Sequence, residues 1–231
     1  MSTFDYKKRE VNCKIVYYGP GLSGKTTNLQ QIHEISKAAS NSELVSLETT
    51  GERTIFFDFL PMEIGTVRGY NVRLHLYTVP GQVIHNGTRK LILQGTDGVV
   101  FVADSDREKM SWNQMALANL KENLESFGYD LLKMPYVLQL NKRDLQSAVS
   151  ISAMCEVLQL KNEPVEQAIA TEGTGVFETL MTITRQVMRQ LRESGIESTK
   201  SGSDAVAAAG GARTILPPET PSTENQKIGE P

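Results

Sequence analysis

Cysteine is scarce: two residues in 231, Cys13 and Cys155, each in an apolar-patterned segment and with no C-x-x-C spacing between them. That pattern argues against a disulfide framework and a zinc site. It favours buried thiols in a reducing compartment, so a cytoplasmic protein is expected. Long apolar runs are missing as well. Nowhere do eighteen apolar residues run together, and MSTFDYKKRE lacks the apolar stretch of a secretory signal, so neither a spanning helix nor export is expected. A charge excess of one sign is absent too: 24 Lys and Arg stand against 27 Asp and Glu, a net charge of -3. That is too mild for a protein held on nucleic acid by phosphate neutralisation. Position 2 is Ser rather than Gly, and IGEP carries no prenylatable cysteine, so no direct lipid anchor is expected.

What is present, from Val11 to about Ser194, is an alternation of strand-like and helix-like patterns. This is the signature of an α/β fold, a mostly parallel sheet with helices on both faces. GVVFVADS is a near-continuous apolar run, as burial on both faces demands. YVLQL (Tyr136 to Leu140) is a second strand and VEQAIA (Val165 to Ala170) a weaker one. Steps of three and four predict a helix through Leu117, Leu120, Leu124 and Phe127, and another through Val176, Leu180, Ile183, Val187 and Leu191. FFDFLPME and NVRLHLYTV, separated by TVRGY, read as an antiparallel hairpin at the sheet's edge. Residues 1–194 form the expected domain. Residues 195–231 shift to Ser, Thr, Gly, Ala, Pro and Glu without periodicity; such a segment buries too little apolar surface to offset its ordering entropy, and a disordered polar tail is expected.

GPGLSGKT, Gly19 to Thr26, satisfies G-x-x-x-x-G-K-[ST] at every position. The strand-like CKIVYY precedes it, and KTTNLQQIHEI follows with Leu29, Ile32 and Ile35 at helical spacing. Glycines let successive N–H groups curl towards phosphate oxygens, and the helix start adds its positive dipole end. Gly19, Gly21, Leu22, Ser23, Gly24, Lys25, Thr26 and Thr27 are therefore the candidate phosphate-binding residues. Lys25 supplies a charge for the terminal phosphates, and the Thr26 hydroxyl a magnesium ligand.

NKRD, Asn141 to Asp144, follows YVLQL at the edge where open parallel sheets place ligands. Asp144 accepts only, so it can take two hydrogen bonds from the donor edge of guanine, an edge adenine lacks. Asn141 and Lys142 would brace the loop and cover the base. Alone such a tetrapeptide is an ordinary polar turn. Together with the phosphate loop it points to GTP and GDP with Mg2+.

The stretches IVYYGPGLSGKTTNL, RTIFFDFLP, LYTVPGQ, RKLILQGTDGVVFVADS and NKRDL resemble a P-loop NTPase of the Ras-like small GTPase class. More narrowly, from about Asp5 to Arg192, they resemble the bacterial mutual gliding-motility GTPase family. The resemblance implies a GTP-hydrolysing molecular switch for cell polarity and for gliding or type IV pilus motility. The implied partners are a dimeric Roadblock-type activating protein, an exchange factor and polar motility effectors, with recruitment to a cell pole in the GTP form. A GTP-binding recruitment module with negligible turnover is the alternative.

The resemblance also assigns roles. Thr54 matches the switch threonine that closes on magnesium and the terminal phosphate. Arg53 is an arginine finger supplied in cis, and Gln82, after Pro80 and Gly81, orients the attacking water. Thr78 stands where related switches carry an aspartate; its neutral hydroxyl could hold a magnesium-bound water with weaker retention of the ion. In the last base-contacting loop the Ala170 amide is expected to meet the guanine carbonyl, and the lysine found there in many relatives is missing.

Overall fold

A computed structural model of the chain describes residues 3–5, 8–36, 44–48, 56–67, 69–82, 85–159 and 162–193. Arg53, Thr54 and residues 195–231 lie outside the described residues, as do the side chains of Phe56 and Phe57.

The strands are β1 (Thr3–Asp5), β2 (Glu10–Tyr18), β3 (Val45–Glu48), β4 (Phe56–Val67), β5 (Tyr70–Thr78), β6 (Gly98–Asp104), β7 (Tyr136–Asn141) and β8 (Val165–Gln167). They form one sheet in the order β3-β4-β5-β2-β6-β7-β8, with β1 pairing antiparallel to β2. From β5 through β8 the pairings are parallel, whereas β4 runs antiparallel to both β3 and β5.

The hairpin expected from FFDFLPME and NVRLHLYTV is therefore present, but β3 lies outside it and forms the edge. VSLE alternates apolar and polar, but over only four residues, the shortest run that could mark a strand.

Every residue of β6 and β7 is buried, so their continuous apolar runs reflect two covered faces. Alternation divides the other strands between two cores. On one face Cys13, Ile15, Tyr17 and Leu74 pack with Leu29 and Ile32 of α1 (Lys25–Ser36) and with Val176, Leu180, Ile183, Val187 and Leu191 of α5 (Val176–Glu193). On the other, Val16, Tyr18, Phe101 and Leu138 meet α2 (Asn86–Leu93), α3 (Met110–Glu125) and α4 (Ile151–Leu158). At roughly 1.5–3 kcal/mol for each large apolar side chain buried, these two layers supply most of the driving force.

Four local expectations are corrected. The helix α3 stops at Glu125, and Gly128 at φ +77° lets the chain turn away, so Phe127 lies beyond the helix and rests against Tyr129. Ile35 is half exposed although it shares the spacing of Leu29 and Ile32. Cys13 is buried, but Cys155 on α4 is only partly so.

The weak strand from Val165 ends at Gln167, and Ala170–Glu172 forms one tight helical turn. The Ala168 amide still bonds Leu140 of β7, but the Arg143 amide takes the Ala168 carbonyl and the Asn141 side chain the Ala170 amide, which ends the ladder there. Among the described residues no helix is long and apolar enough to cross a membrane.

Because β2 lies between β5 and β6, the connection after β2 runs to one side and the one after β5 passes back to the other, which opens a crevice at the carboxyl ends of the strands. Tyr18, Thr78, Asp104 and Asn141 end β2, β5, β6 and β7 there.

Candidate functional site

The loop after β2 turns through Gly19 at φ +147°, Leu22 at +63° and Gly24 at +98° before α1 begins at Lys25. Leu22 points its side chain into solvent, 87% exposed, so its contribution to the loop is its backbone. A Cβ on Gly24 would overlap the Asn141 amide, and one on Gly81 would overlap the Gly21 backbone. The phosphate loop is thus gripped from the base side by Asn141 and from the other side by the Pro-Gly turn that carries Gln82.

Lys25 is buried, and its Nζ donates to the carbonyls of Gly19 at 3.0 Å and Pro20 at 2.6 Å. Burial, helped by the nearby Arg89 charge and opposed by Asp58, lowers its pKa to about 7. An ammonium balanced chiefly by carbonyls is undercompensated. A phosphate is the anion that would complete it.

Beneath the loop, Asn28 donates to the Gly24 carbonyl at 2.9 Å and to Gln139 at 3.0 Å. Gln139 in turn donates to Asn28 and to Thr179. This fully buried amide cluster ties α1, β7 and α5 together and fixes the height of the loop over the sheet.

At the base end, Asn141 Nδ2 donates to the Ser23 carbonyl at 2.8 Å, and its Oδ1 accepts the Ala170 amide at 2.9 Å. One side chain therefore joins the phosphate loop, the NKRD loop and the last loop. The Ala170 amide, expected to face a guanine carbonyl, is engaged here by Asn141. Lys142, at φ +63°, donates to the buried carboxylate of Asp104 at 2.6 Å, and Arg143 bonds the Val149 carbonyl at 2.7 Å. These anchors hold Asp144 at the surface, exposed and with no hydrogen-bond partner among the described residues.

At the phosphate end, the Thr26 hydroxyl donates to Asp58 Oδ2 at 2.6 Å. The Thr78 hydroxyl donates to the same oxygen at 2.9 Å and accepts the Asp58 amide at 2.8 Å. Among the described residues no group of three or more His, Cys, Asp and Glu could hold a metal. Magnesium, however, is usually held through one or two carboxylates, with phosphate and water completing its shell. The Thr26, Asp58 and Thr78 oxygens fit that ion.

Pro80 and Gly81 follow directly, and Gln82 is exposed with its carbonyl bonded by the His85 amide at 3.2 Å and by Arg89.

The chain matches the ADP-ribosylation factor family over residues 2–191. It is 54% identical over 195 residues to the mutual gliding-motility protein MglA of Myxococcus xanthus (strain DK1622), an alignment covering 84% of this chain and 100% of that protein. The chain is a Ras-like small GTPase of the mutual gliding-motility family. Its family binds GTP and GDP, typically with magnesium, and hydrolyses GTP.

Reading the sequence of this GTPase by motif passed over three site residues. Asp58 sits in an apolar strand and meets Thr26 and Thr78 only through folding. Asp104 ends the most apolar strand, and its carboxylate alone among apolar neighbours was a signal. Arg89 lies in an unremarkable helix, with nothing local to mark it.

Proposed function

We propose that this GTPase is a nucleotide-dependent switch that hydrolyses GTP slowly alone and faster when a dimeric Roadblock-type protein engages it. In the GTP form it acts through polar effectors on cell polarity and on gliding or pilus-based movement, and an exchange factor resets it. The observation that carries this reading is the backbone approach of Gly81 to Gly21, which brings the turn bearing Gln82 against the phosphate loop.

In this reading Lys25 and the loop amides hold the β- and γ-phosphates, and Asp144 selects guanine. Gln82 orients a water whose oxygen bonds the γ-phosphorus as the bond to the bridging oxygen breaks, leaving GDP and inorganic phosphate. Arg53 contributes charge stabilisation in cis, and Thr54 closes over the nucleotide. Thr26, with Thr54 and Thr78, would hold magnesium, which when bound would neutralise phosphate charge. The role in movement is supported by the name of the Myxococcus xanthus relative, a gliding-motility protein.

Single-turnover hydrolysis of GTP, with and without a Roadblock-type dimer, tests the proposal. Slow turnover accelerated by the dimer is expected. Negligible turnover in both arms, with GTP still bound, would instead establish a recruitment module.

A further inference from the structure

Beside the turn that carries Gln82 lies a polar cluster that nucleotide binding does not account for. Arg89, on α2 and only 5% exposed, donates through Nε to Asn119 Oδ1 at 2.9 Å. Through Nη2 it reaches Asn86 Oδ1 at 3.4 Å, and through Nη1 the carbonyls of Pro80, at 3.4 Å, and Gln82. Asn119 Oδ1 also accepts from the Tyr18 hydroxyl at 2.6 Å and from Asn123 at 3.1 Å, while Asn119 and Asn123 both donate to Asn86.

Replacing both partners of a buried hydrogen bond with apolar groups of the same shape can leave stability nearly unchanged. What this cluster provides is a defined geometry. The planar guanidinium fork presents donors at fixed angles, and here one arm, Nη1, bonds both carbonyls that flank Gly81 while Nε and Nη2 are held by Asn119 and Asn86. Its far side is fastened to α3 through Asn119 and, by way of Tyr18, to the last residue of the strand that feeds the phosphate loop. The Arg89 charge also reaches that loop, where it helps burial to lower the pKa of Lys25.

We propose that Arg89 is a positioning residue for hydrolysis. Anchored on α3 by Asn119, its guanidinium fixes the Pro80 and Gln82 carbonyls so that the Gln82 side chain is presented to the attacking water. This rests on the reading that Gln82 orients that water.

Arg89→Lys keeps the charge and loses the fork. Asn119→Leu keeps the volume and removes the anchor on α3, and serves if the first variant does not fold. Single-turnover hydrolysis at saturating GTP is measured beside the dissociation constants for GTP and GDP. Each variant should hydrolyse roughly tenfold to a hundredfold more slowly, the scale set by misplacing a catalytic group by about an ångström, with both affinities unchanged. In a Gln82→Ala background Arg89→Lys should add no further loss, since both changes remove one function.

Wild-type rates in Arg89→Lys, losses that add to that of Gln82→Ala, or affinities that fall in step with the rate would each overturn the proposal. A wild-type protein without turnover overturns the reading of Gln82 and this inference with it. Turnover by the wild type with Arg89→Lys unaffected overturns this inference alone.

Discussion

At the base end of the crevice Asn141 bonds main-chain groups of two other loops, Ser23 and Ala170, whereas at the phosphate end the Thr26 and Thr78 hydroxyls converge on the Asp58 carboxylate, with one main-chain bond, from the Asp58 amide to Thr78, beside them. Bonds from a side chain to distant backbone set the path of the chain and persist when a ligand arrives. Bonds among hydroxyls and a carboxylate can be exchanged for phosphate, water or a cation at little cost to the fold, because each group keeps a partner. The base end is thus a preformed socket. The phosphate end is a set of side-chain oxygens that a ligand could take over, next to a turn held by its carbonyls.

The largest expected effect is at Asp144, the residue proposed to read the base. Asp144→Ala should abolish discrimination of GTP from ATP, a change on the order of ten-thousandfold, measured by competitive binding of the two nucleotides. Retained preference for guanine would move selectivity elsewhere. On the hydrolytic side, Arg53→Ala should keep GTP binding and lose about a thousandfold of activator-stimulated hydrolysis. Unchanged single-turnover rates would remove Arg53 from the chemistry.

Gly24→Ala tests the rigidity of the socket. It puts an L-residue at φ +98° and a methyl group into the Asn141 amide, and the left-handed backbone alone should cost about 1–3 kcal/mol in denaturant unfolding. Wild-type stability would show that Asn141 yields.

Thr78→Asp tests the exchangeable end. A second carboxylate against Asp58 should destabilise the protein in chelator by about 1 kcal/mol and reverse that loss when magnesium is added. Thermal midpoints with and without the ion report it, and a magnesium response equal to the wild type's would place the cation away from Thr78.

The contrast between the two ends also decided what could be read from sequence. GPGLSGKT and NKRD were legible because each gathers its donors within a few residues, and the glycines and the following helix show in the spacing. The parallel core was legible in GVVFVADS and YVLQL, where both faces are apolar. Asp58 was not, since its partners lie 32 and 20 positions away; the hairpin register brings it to Thr78, and the packing of α1 on β4 brings it to Thr26. Arg89 and Asn119, 30 positions apart on two helices, carry no local mark of their meeting. The edge strand β3 was missed because four residues give alternation too little room to show. Asn141 was read for its place beside the base, but its grip on Ser23 and Ala170 depends on the crossing of three loops.

Competition binding with magnesium present, after the nucleotide carried through gentle purification has been identified by mass, tests the central claim most directly. A guanine nucleotide that GDP displaces and ADP does not is the predicted result. Equal displacement by both, or no nucleotide bound under any condition, would contradict a curled Gly19–Thr26 loop and an exposed Asp144 acting as one site.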